Sequence, residues 1–595
     1  MRGGLVVPAL LLAAGLAGCI GGSDTEDAAA PATAAAWTPC EHPWPCGDGS
    51  EWPTGLEGPF DILEPEQVSV ASFDGTLLDG WIWRPDLPEG VGAPVVLEAT
   101  PYLGKCSYQS IQRQTPSCMG SGGSDARLGG SREFDELLAA GYAVAIFSVR
   151  GTAGSGGCYD LWGADEQQDQ VATVEWLAAQ PWSNGRVAMS GISYMGTTPL
   201  EAAIHQAPSL KAVTVAGIVS DPYLGPASPQ GAIFTGYDRF QVGTALANGY
   251  QPPWSGAENT MLPYAGVAAE RACPQVLEML GHPFQDELTD DRSAAFYDER
   301  RLVDHFGDVQ AAVLMAHGFL DDSYHRNQED VTWNALTQAP KWFMLGQWGH
   351  TLLLDDAMAN WPHGGSWLDV TMGWYDFWLK GLGEPPARLG LVDYQDSDGQ
   401  WHEDGAWPLL AAREEALFLA EDAMVPTPQE GASAQMDLAP VPDSGGDCAD
   451  DMVLPGAPPR QLLYAAAPVT SDLLLAGNPY ALLDVAADRP SGLFASSLYL
   501  ADADWSCGDE LTYLTDGGVD LRFHDGGFQG SDFPVGTTTT VRLDYYNLAH
   551  VVPEGKRIVL GLRAPDDHTG RHDATTLTVE PSSRLVLPLV EGSLG

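Results

Sequence analysis

Between residues 60 and 220, short apolar runs alternate with stretches whose apolar residues recur every three or four positions. Pro94–Thr100, Tyr142–Ser148, Val187–Gly191 and Ala212–Ala216 are rich in Val, Ile and Ala and have the length of buried strands. Between them, Phe134–Ala140 and Asp165–Gln180 read as helices, the second from the spacing of Val171, Val174 and Leu177. Upstream, Val68–Phe73 and Leu77–Trp83 flank Asp74-Gly75 as a hairpin. This alternation predicts a parallel sheet covered on both faces, an α/β unit. It stops after Asp221. Residues 222–299, rich in Gly, Pro and aromatics with helical pieces such as Ala268–Leu280, read as a helical cap laid over the sheet. Strands resume at Ala311–Ala316 and Lys341–Leu345, and a helix over Leu368–Leu379 closes the unit. From residue 387 helices give way to short strands separated by turns, such as Leu389–Tyr394, Tyr480–Val485, Leu493–Leu500, Thr538–Tyr545 and Arg557–Leu562. That pattern predicts an all-β jelly roll to residue 595.

The first residues have a different character. Arg2 precedes a short apolar core, Leu5–Leu16, too short to span a bilayer, and Leu16-Ala-Gly-Cys19 resembles a lipobox. The expectation is a signal peptide over residues 1–18, a lipid on Cys19, and a tether over 19–55. The α/β unit then occupies 56–221 and 300–386. Eight cysteines remain besides Cys19, an even number that suits disulfides in an oxidising compartment. Nearness in sequence favours Cys40–Cys46, Cys106–Cys118 and Cys448–Cys507, leaving Cys158 with Cys273. No Cys-x-x-Cys spacing supports zinc.

Charge removes one class of partner. With 28 Lys+Arg against 80 Asp+Glu, a formal charge of −52, the chain lacks a footprint for nucleic acid. An acidic surface carrying only five lysines is the composition expected of a protein working in high salt, where screening relieves self-repulsion.

Candidate chemistry lies at strand ends. Val187–Gly191 leads into Gly191-Ile-Ser-Tyr-Met-Gly196, which places Ser193 on a strand-to-helix turn beside the free N–H groups of a helix start. Helical character is expected over Thr197–Ala207, and Pro199 would kink a helix that had started at Tyr194. A serine hydroxyl needs a base, and the base an orienting carboxylate. Asp321 follows the strand Ala311–Ala316, and His350 follows Lys341–Leu345. Serine, acid and histidine thus occur in the chain order of α/β-hydrolases. Asp322 is the alternative acid, while His317, His325 and His205 read as packing or surface residues. Oxyanion donors would be the Tyr194 N–H and Tyr102, the latter after an early core strand. The glycine-rich loop Arg150–Gly157 lacks the lysine of a phosphate cradle. Asp396-Ser-Asp-Gly399 lacks the glutamate of a calcium loop. No cofactor and no metal is expected.

These residues resemble a family. Gly141-Tyr-Ala-Val-Ala145, Val149-Arg-Gly-Thr-Ala-Gly-Ser-Gly-Gly157, Glu175-Trp-Leu-Ala-Ala-Gln-Pro-Trp-Ser-Asn-Gly-Arg186 and the Ser193 turn are similar to the cocaine esterase (CocE/NonD) and Xaa-Pro dipeptidyl-peptidase hydrolases. The similarity continues through Gly318-Phe-Leu-Asp321, Gly346-Gln-Trp-Gly-His350 and Asp396–Trp407. The resemblance implies an α/β-hydrolase core with an inserted helical cap and a galactose-binding-like jelly roll, and implies that Tyr102 completes the oxyanion hole. Two departures stand out. Ser148 replaces the usual aspartate before Val-Arg-Gly. Ser323 and Tyr324 occupy positions where relatives that prefer α-amino acyl groups carry carboxylates. The expected protein is an exported serine hydrolase anchored to the membrane by Cys19, acting on small acyl esters or amides. An Xaa-Pro dipeptidyl-peptidase is the alternative, and a surface binding lipoprotein with an inactive core is the rival of another class. The cap aromatics Tyr223, Phe234, Tyr237 and Trp254 are candidates to shape the acyl pocket.

Overall fold

A computed structural model describes residues 52–101, 131–222, 272–276, 295–321, 328–351, 357–410, 412–439, 458–506, 509–526, 529–564 and 575–594. Several expectations lie outside them: the signal and Cys19, Tyr102, Asp322 to His325, the four cap aromatics, and every cysteine pair except Cys158–Cys273.

The first sheet has ten strands among the described residues. They are β1 (Glu66–Ala71), β2 (Leu77–Trp83), β3 (Ala93–Thr100), β4 (Ala143–Ser148), β5 (Ser183–Ile192), β6 (Leu210–Ala216), β7 (Ala312–Gly318), β8 (Lys341–Gly346), β9 (Val392–Gln395) and β10 (Trp401–Asp404). Their spatial order is β1-β2-β4-β3-β5-β6-β7-β8-β9-β10. From β4 to β9 every neighbouring pair is parallel, while the β1/β2, β2/β4 and β9/β10 pairs are antiparallel. Every residue of β3, β4 and β7 is buried, as a two-sided sheet demands. The helices Ala164–Ala178 and Tyr194–Ile204 pack on one face, against Val95, Leu97, Val213 and Val215. Ser131–Ala139 and Trp367–Tyr375 cover the other, the latter running on into a π-helical turn, Asp376–Lys380.

Two expectations need correction. The strand near Leu389–Tyr394 does not open the all-β unit. Val392, Asp393 and Tyr394 pair in parallel with Phe343, Met344 and Leu345, so the first sheet extends to Asp404. The hairpin resembled all-β text because its partner strand is some fifty residues back in sequence. The elbow helix also begins at Tyr194 rather than Thr197, with Pro199 inside it. The Met195 carbonyl, left open by the missing N–H of Pro199, accepts the Thr198 hydroxyl at 3.3 Å.

The second unit is all-β, thirteen strands among the described residues. Its strand Tyr480–Ala487 alternates strictly, with Ala481, Leu483, Val485 and Ala487 inward. The two units meet near β7 and β8. Gln347 Nε2 donates to the carbonyls of Ala549 (2.8 Å) and Gln395 (3.0 Å). Asn547 accepts from Trp407 Nε1 at 2.8 Å and donates to Glu329 at 3.1 Å. Glu329 in turn faces His317, buried on β7, at 3.0 Å. His317 is thus a packing residue, as expected, and ties the two units together.

Cys158 and Cys273 form a disulfide, the pair that elimination left. Beside it Tyr159 bridges to Ala272, and the Cys273 N–H donates to the Tyr159 carbonyl at 2.9 Å. The glycine-rich loop is held by Arg150, which donates twice to Asp169 at 2.7 Å and once to Asp165 at 2.9 Å. Anchoring accounts for its sequence, since a Cβ on Gly151 would lie 2.1 Å from the Tyr159 nitrogen. No helix among the described residues is long and apolar enough to cross a membrane.

Candidate active site

The end of β5 turns sharply into the elbow helix at Ser193. There φ is 64° and ψ is −128°, a conformation that costs a non-glycine residue on the order of 1–3 kcal/mol and persists only where surroundings enforce it. The enforcement is visible on each side. The Ser193 N–H donates to the Ala216 carbonyl at 3.0 Å, and the Ser193 carbonyl accepts from Gly196 (2.9 Å) and Thr197 (3.1 Å). Gly191 and Gly196 allow the close approach, since a Cβ on either would sit 2.4 Å from a backbone oxygen.

Asp321 and His350 lie just beyond β7 and β8. His350 Nδ1 is 2.7 Å from Asp321 Oδ2, and Asp321 is 2% exposed. This contact fixes the ring and leaves Nε2 as the nitrogen able to take a proton. Gly217 joins the pair to the serine. It follows Ala216, the acceptor of the Ser193 N–H, and its φ is +50°. A Cβ there would meet His350 Cε1 at 3.0 Å, His350 Nδ1 at 3.1 Å and Asp321 Oδ2 at 3.4 Å. The ends of β7 and β8 therefore bring Asp321 and His350 together, and the end of β6 lies between that pair and Ser193 at the end of β5. Gly217 was not legible in the sequence, where it reads as a strand end.

Tyr194, the residue after the serine, is buried and packs at a tilt against Trp162, with ring centroids 4.7 Å apart. Its hydroxyl donates to Glu166, 2.7 and 2.8 Å from the two carboxylate oxygens. Burial, the largest cause, raises the Glu166 carboxyl to about 8, and the neighbouring Asp160 and Asp169 push it the same way. Glu201 on the elbow helix is raised well above the carboxylate range, again chiefly by burial. Glu166 was missed because only the apolar positions of its helix were counted. The helix in fact also buries Glu166, Asp169 and Gln170.

Other histidines among the described residues have contacts elsewhere. His205 contacts Gln167 and Gln168 at the end of the elbow helix. At the β9–β10 turn Asp396 accepts the N–H groups of Asp398 and Gln400 and faces His402 at 2.7 Å. Its oxygens are thus committed within the turn. His363, Asp393 and Glu403 lie close enough to suggest metal ligands, yet Arg388 is ion-paired with both carboxylates, a cation already in place.

The fold defines an α/β-hydrolase with an appended all-β unit. Residues 74–352 match the model of the X-Pro dipeptidyl-peptidase (S15 family), and residues 385–584 match that of the X-Pro dipeptidyl-peptidase C-terminal non-catalytic domain. The chain is thereby placed among the serine hydrolases of the dipeptidyl-peptidase and cocaine esterase group. The cocaine esterase of Rhodococcus sp. is 23% identical over 68% of this chain and 69% of its own. The Xaa-Pro dipeptidyl-peptidase of Lacticaseibacillus rhamnosus is 24% identical over 61% of this chain and 47% of its own. The chain spans about half the length of two Bacillus relatives that it matches at 26% and 25% identity (56% and 53%). Among solved structures, an aminopeptidase from a marine sediment Thaumarchaeota archaeon superposes with a TM-score of 0.67 at 18% identity, covering 91% of this chain and 99% of its own. An α-amino acid ester hydrolase gives 0.65 at 18% identity, over 92% and 99%. At such identities the structural likeness establishes the fold.

Proposed function

We propose that the chain is an exported serine hydrolase that cleaves small acyl esters or amides through an acyl-enzyme. His350 takes the proton from Ser193, Asp321 orients the imidazole, and Ser193 attacks the carbonyl carbon. The Tyr194 N–H and the Tyr102 hydroxyl stabilise the tetrahedral oxyanion. His350 then protonates the leaving group, and water, deprotonated by the same histidine, releases the acyl product. The observation that carries this reading is the Asp321–His350 hydrogen bond of 2.7 Å, joined through Gly217 to a serine held at φ 64°. Cys19 would carry the lipid that holds the enzyme at the outer face of the membrane. The charge of −52 favours work in concentrated salt.

Dipeptide release from Xaa-Pro peptides is the second reading, favoured by the family match over 74–352. Ser323 and Tyr324 oppose it, because a bound α-ammonium group needs carboxylates nearby. The test is turnover of p-nitrophenyl acetate, p-nitrophenyl butyrate and Gly-Pro-p-nitroanilide in molar salt. Turnover of the esters without release from Gly-Pro supports the esterase. Efficient release from Gly-Pro replaces it with the peptidase. No turnover of any of the three removes the small-acyl reading.

A further inference from the structure

The helix Ala164–Ala178 buries its polar first half directly beneath the elbow. Glu166 and Glu201 are 0% exposed, Asp160 1% and Asp169 2%. Two of these carboxylates have cations: Asp169 is clamped by Arg150, which also meets Asp74 and Asp165, and Asp160 faces Arg300 at 3.3 Å. Among the described residues no cation is paired with Glu166 or Glu201. Glu166 instead receives the Tyr194 hydroxyl on both oxygens and the Trp162 N–H at 3.3 Å, while Glu201 lies against Gln170. A buried carboxylate without a cation is costly unless it holds a proton, and two such neighbours cannot both ionise.

Tyr194 is the first residue of the elbow helix and the one whose N–H stands next to Ser193. Its ring is held between Trp162 (4.7 Å) and Tyr159 (6.1 Å), and the far end of the phenol ends on Glu166. The Trp162 segment is itself pinned, because Arg300 donates to the carbonyls of Asp160 and Leu161 at 2.9 Å. A rigid side chain anchored at its tip fixes the backbone at its root.

We propose that Glu166 is a positioning residue of the acyl-transfer site: by holding the Tyr194 phenol it aims the Tyr194 backbone N–H at the oxyanion, and it serves best while it carries a proton. The inference rests on the serine-hydrolase reading above. When Glu166 ionises, a negative charge that no cation among the described residues pairs with appears under the atoms where the oxyanion develops. At an effective dielectric near 20, such a charge opposes a second one nearby by roughly tenfold in rate. The groups facing Glu166 are Tyr194 and Glu201 from the elbow helix, Asp160 from the preceding loop, and Asp169 with its partner Arg150 from below, while Tyr159 faces the Tyr194 ring. Arg300 and Glu299 face it through Asp160.

Three proteins test it: the full chain, Glu166→Gln and Tyr194→Phe, each assayed for kcat and KM on p-nitrophenyl butyrate from pH 6 to 9.5. The wild type should lose about fivefold in kcat between pH 7 and 9, as the group raised to about 8 ionises. Glutamine still accepts the phenol proton but cannot ionise, so Glu166→Gln should abolish that fall. Tyr194→Phe keeps the backbone N–H and loses its anchor, so kcat should drop about tenfold with KM within twofold. A Glu166→Gln profile that overlays the wild type, or a Tyr194→Phe loss carried by KM, overturns the proposal. A wild type without an alkaline fall does so too. Ser193→Ala separates the two levels. If it is inactive while the other profiles coincide, Glu166 alone is refuted; if it is as active as the wild type, the hydrolase reading falls with it.

Discussion

Around the ten-stranded sheet, Arg150, Arg300, Glu166, Asp169, Glu201, His317 and Glu329 are all buried, whereas inside the all-β unit the buried charged residues among those described are Asp520 and Arg522. Most of that second interior is aliphatic and aromatic, as at Leu483, Phe494, Leu560 and Leu587, and its other buried polar groups are neutral, such as Ser496, Thr515, Asn547 and Thr575. An apolar interior holds a shape through burial alone. Charge and hydrogen-bonding groups in the first interior have a cost that burial does not repay, unless each is matched to a partner at a defined distance. The matched partners converge on the elbow, the Asp321 loop and the Gln347 loop that carries His350. The polar interior therefore fixes directions at the site, and the apolar one supplies a rigid block for the His350 loop to rest on, through Gln347 and Ala549.

Substitutions separate these roles. Removing the candidate nucleophile, Ser193→Ala, should lower kcat by on the order of 10⁶ with an unchanged melting temperature, and Asp321→Asn by about 10⁴. Steady-state kinetics and calorimetry on the same samples check both. In the all-β interior, Leu483→Ala should lower stability by about 2–5 kcal/mol in denaturant titration and leave kcat alone. A large fall in kcat there would mean that the second unit acts on the chemistry more directly. Gly217→Ala should cost at least tenfold in kcat, since its Cβ would press on His350 at a φ of +50°.

The smallest effect is in pH. Burial raises Glu133 to about 7, Glu166 to about 8 and Asp330 to about 7. Each folded-state pKa exceeds the unfolded value near 4.5 or 3.8, so between the two the unfolded chain binds fewer protons. Stability should therefore be greatest near pH 4 to 5 and decline as pH rises through about 7 to 8. Melting temperatures across that range check it, and Glu133→Gln should flatten the slope. A stability that rises with pH would contradict the burial of these carboxyls.

Much of this was open to reading from the chain. Strands such as β3 and β4 announce themselves as unbroken apolar runs, and Tyr480–Ala487 as strict alternation. Ser193, Asp321 and His350 were legible because each follows a core strand in a chemically meaningful order. What stayed hidden depends on partners distant in sequence. The buried half of Ala164–Ala178 is polar because Arg150 and Tyr194 receive it, and no periodicity in the helix reports that. Pro199 misled because Thr198 supplies the hydrogen bond that proline withholds. The β9–β10 hairpin was set in the wrong unit because its register belongs to Phe343.

The central claim is that Ser193 is the residue acylated in turnover. Treating the full-length protein with a fluorophosphonate and mapping the adduct by peptide mass spectrometry tests this directly. The account predicts one adduct per chain, on Ser193, formed far more slowly in His350→Ala. An adduct on another residue, or none under conditions where esters are hydrolysed, would contradict it.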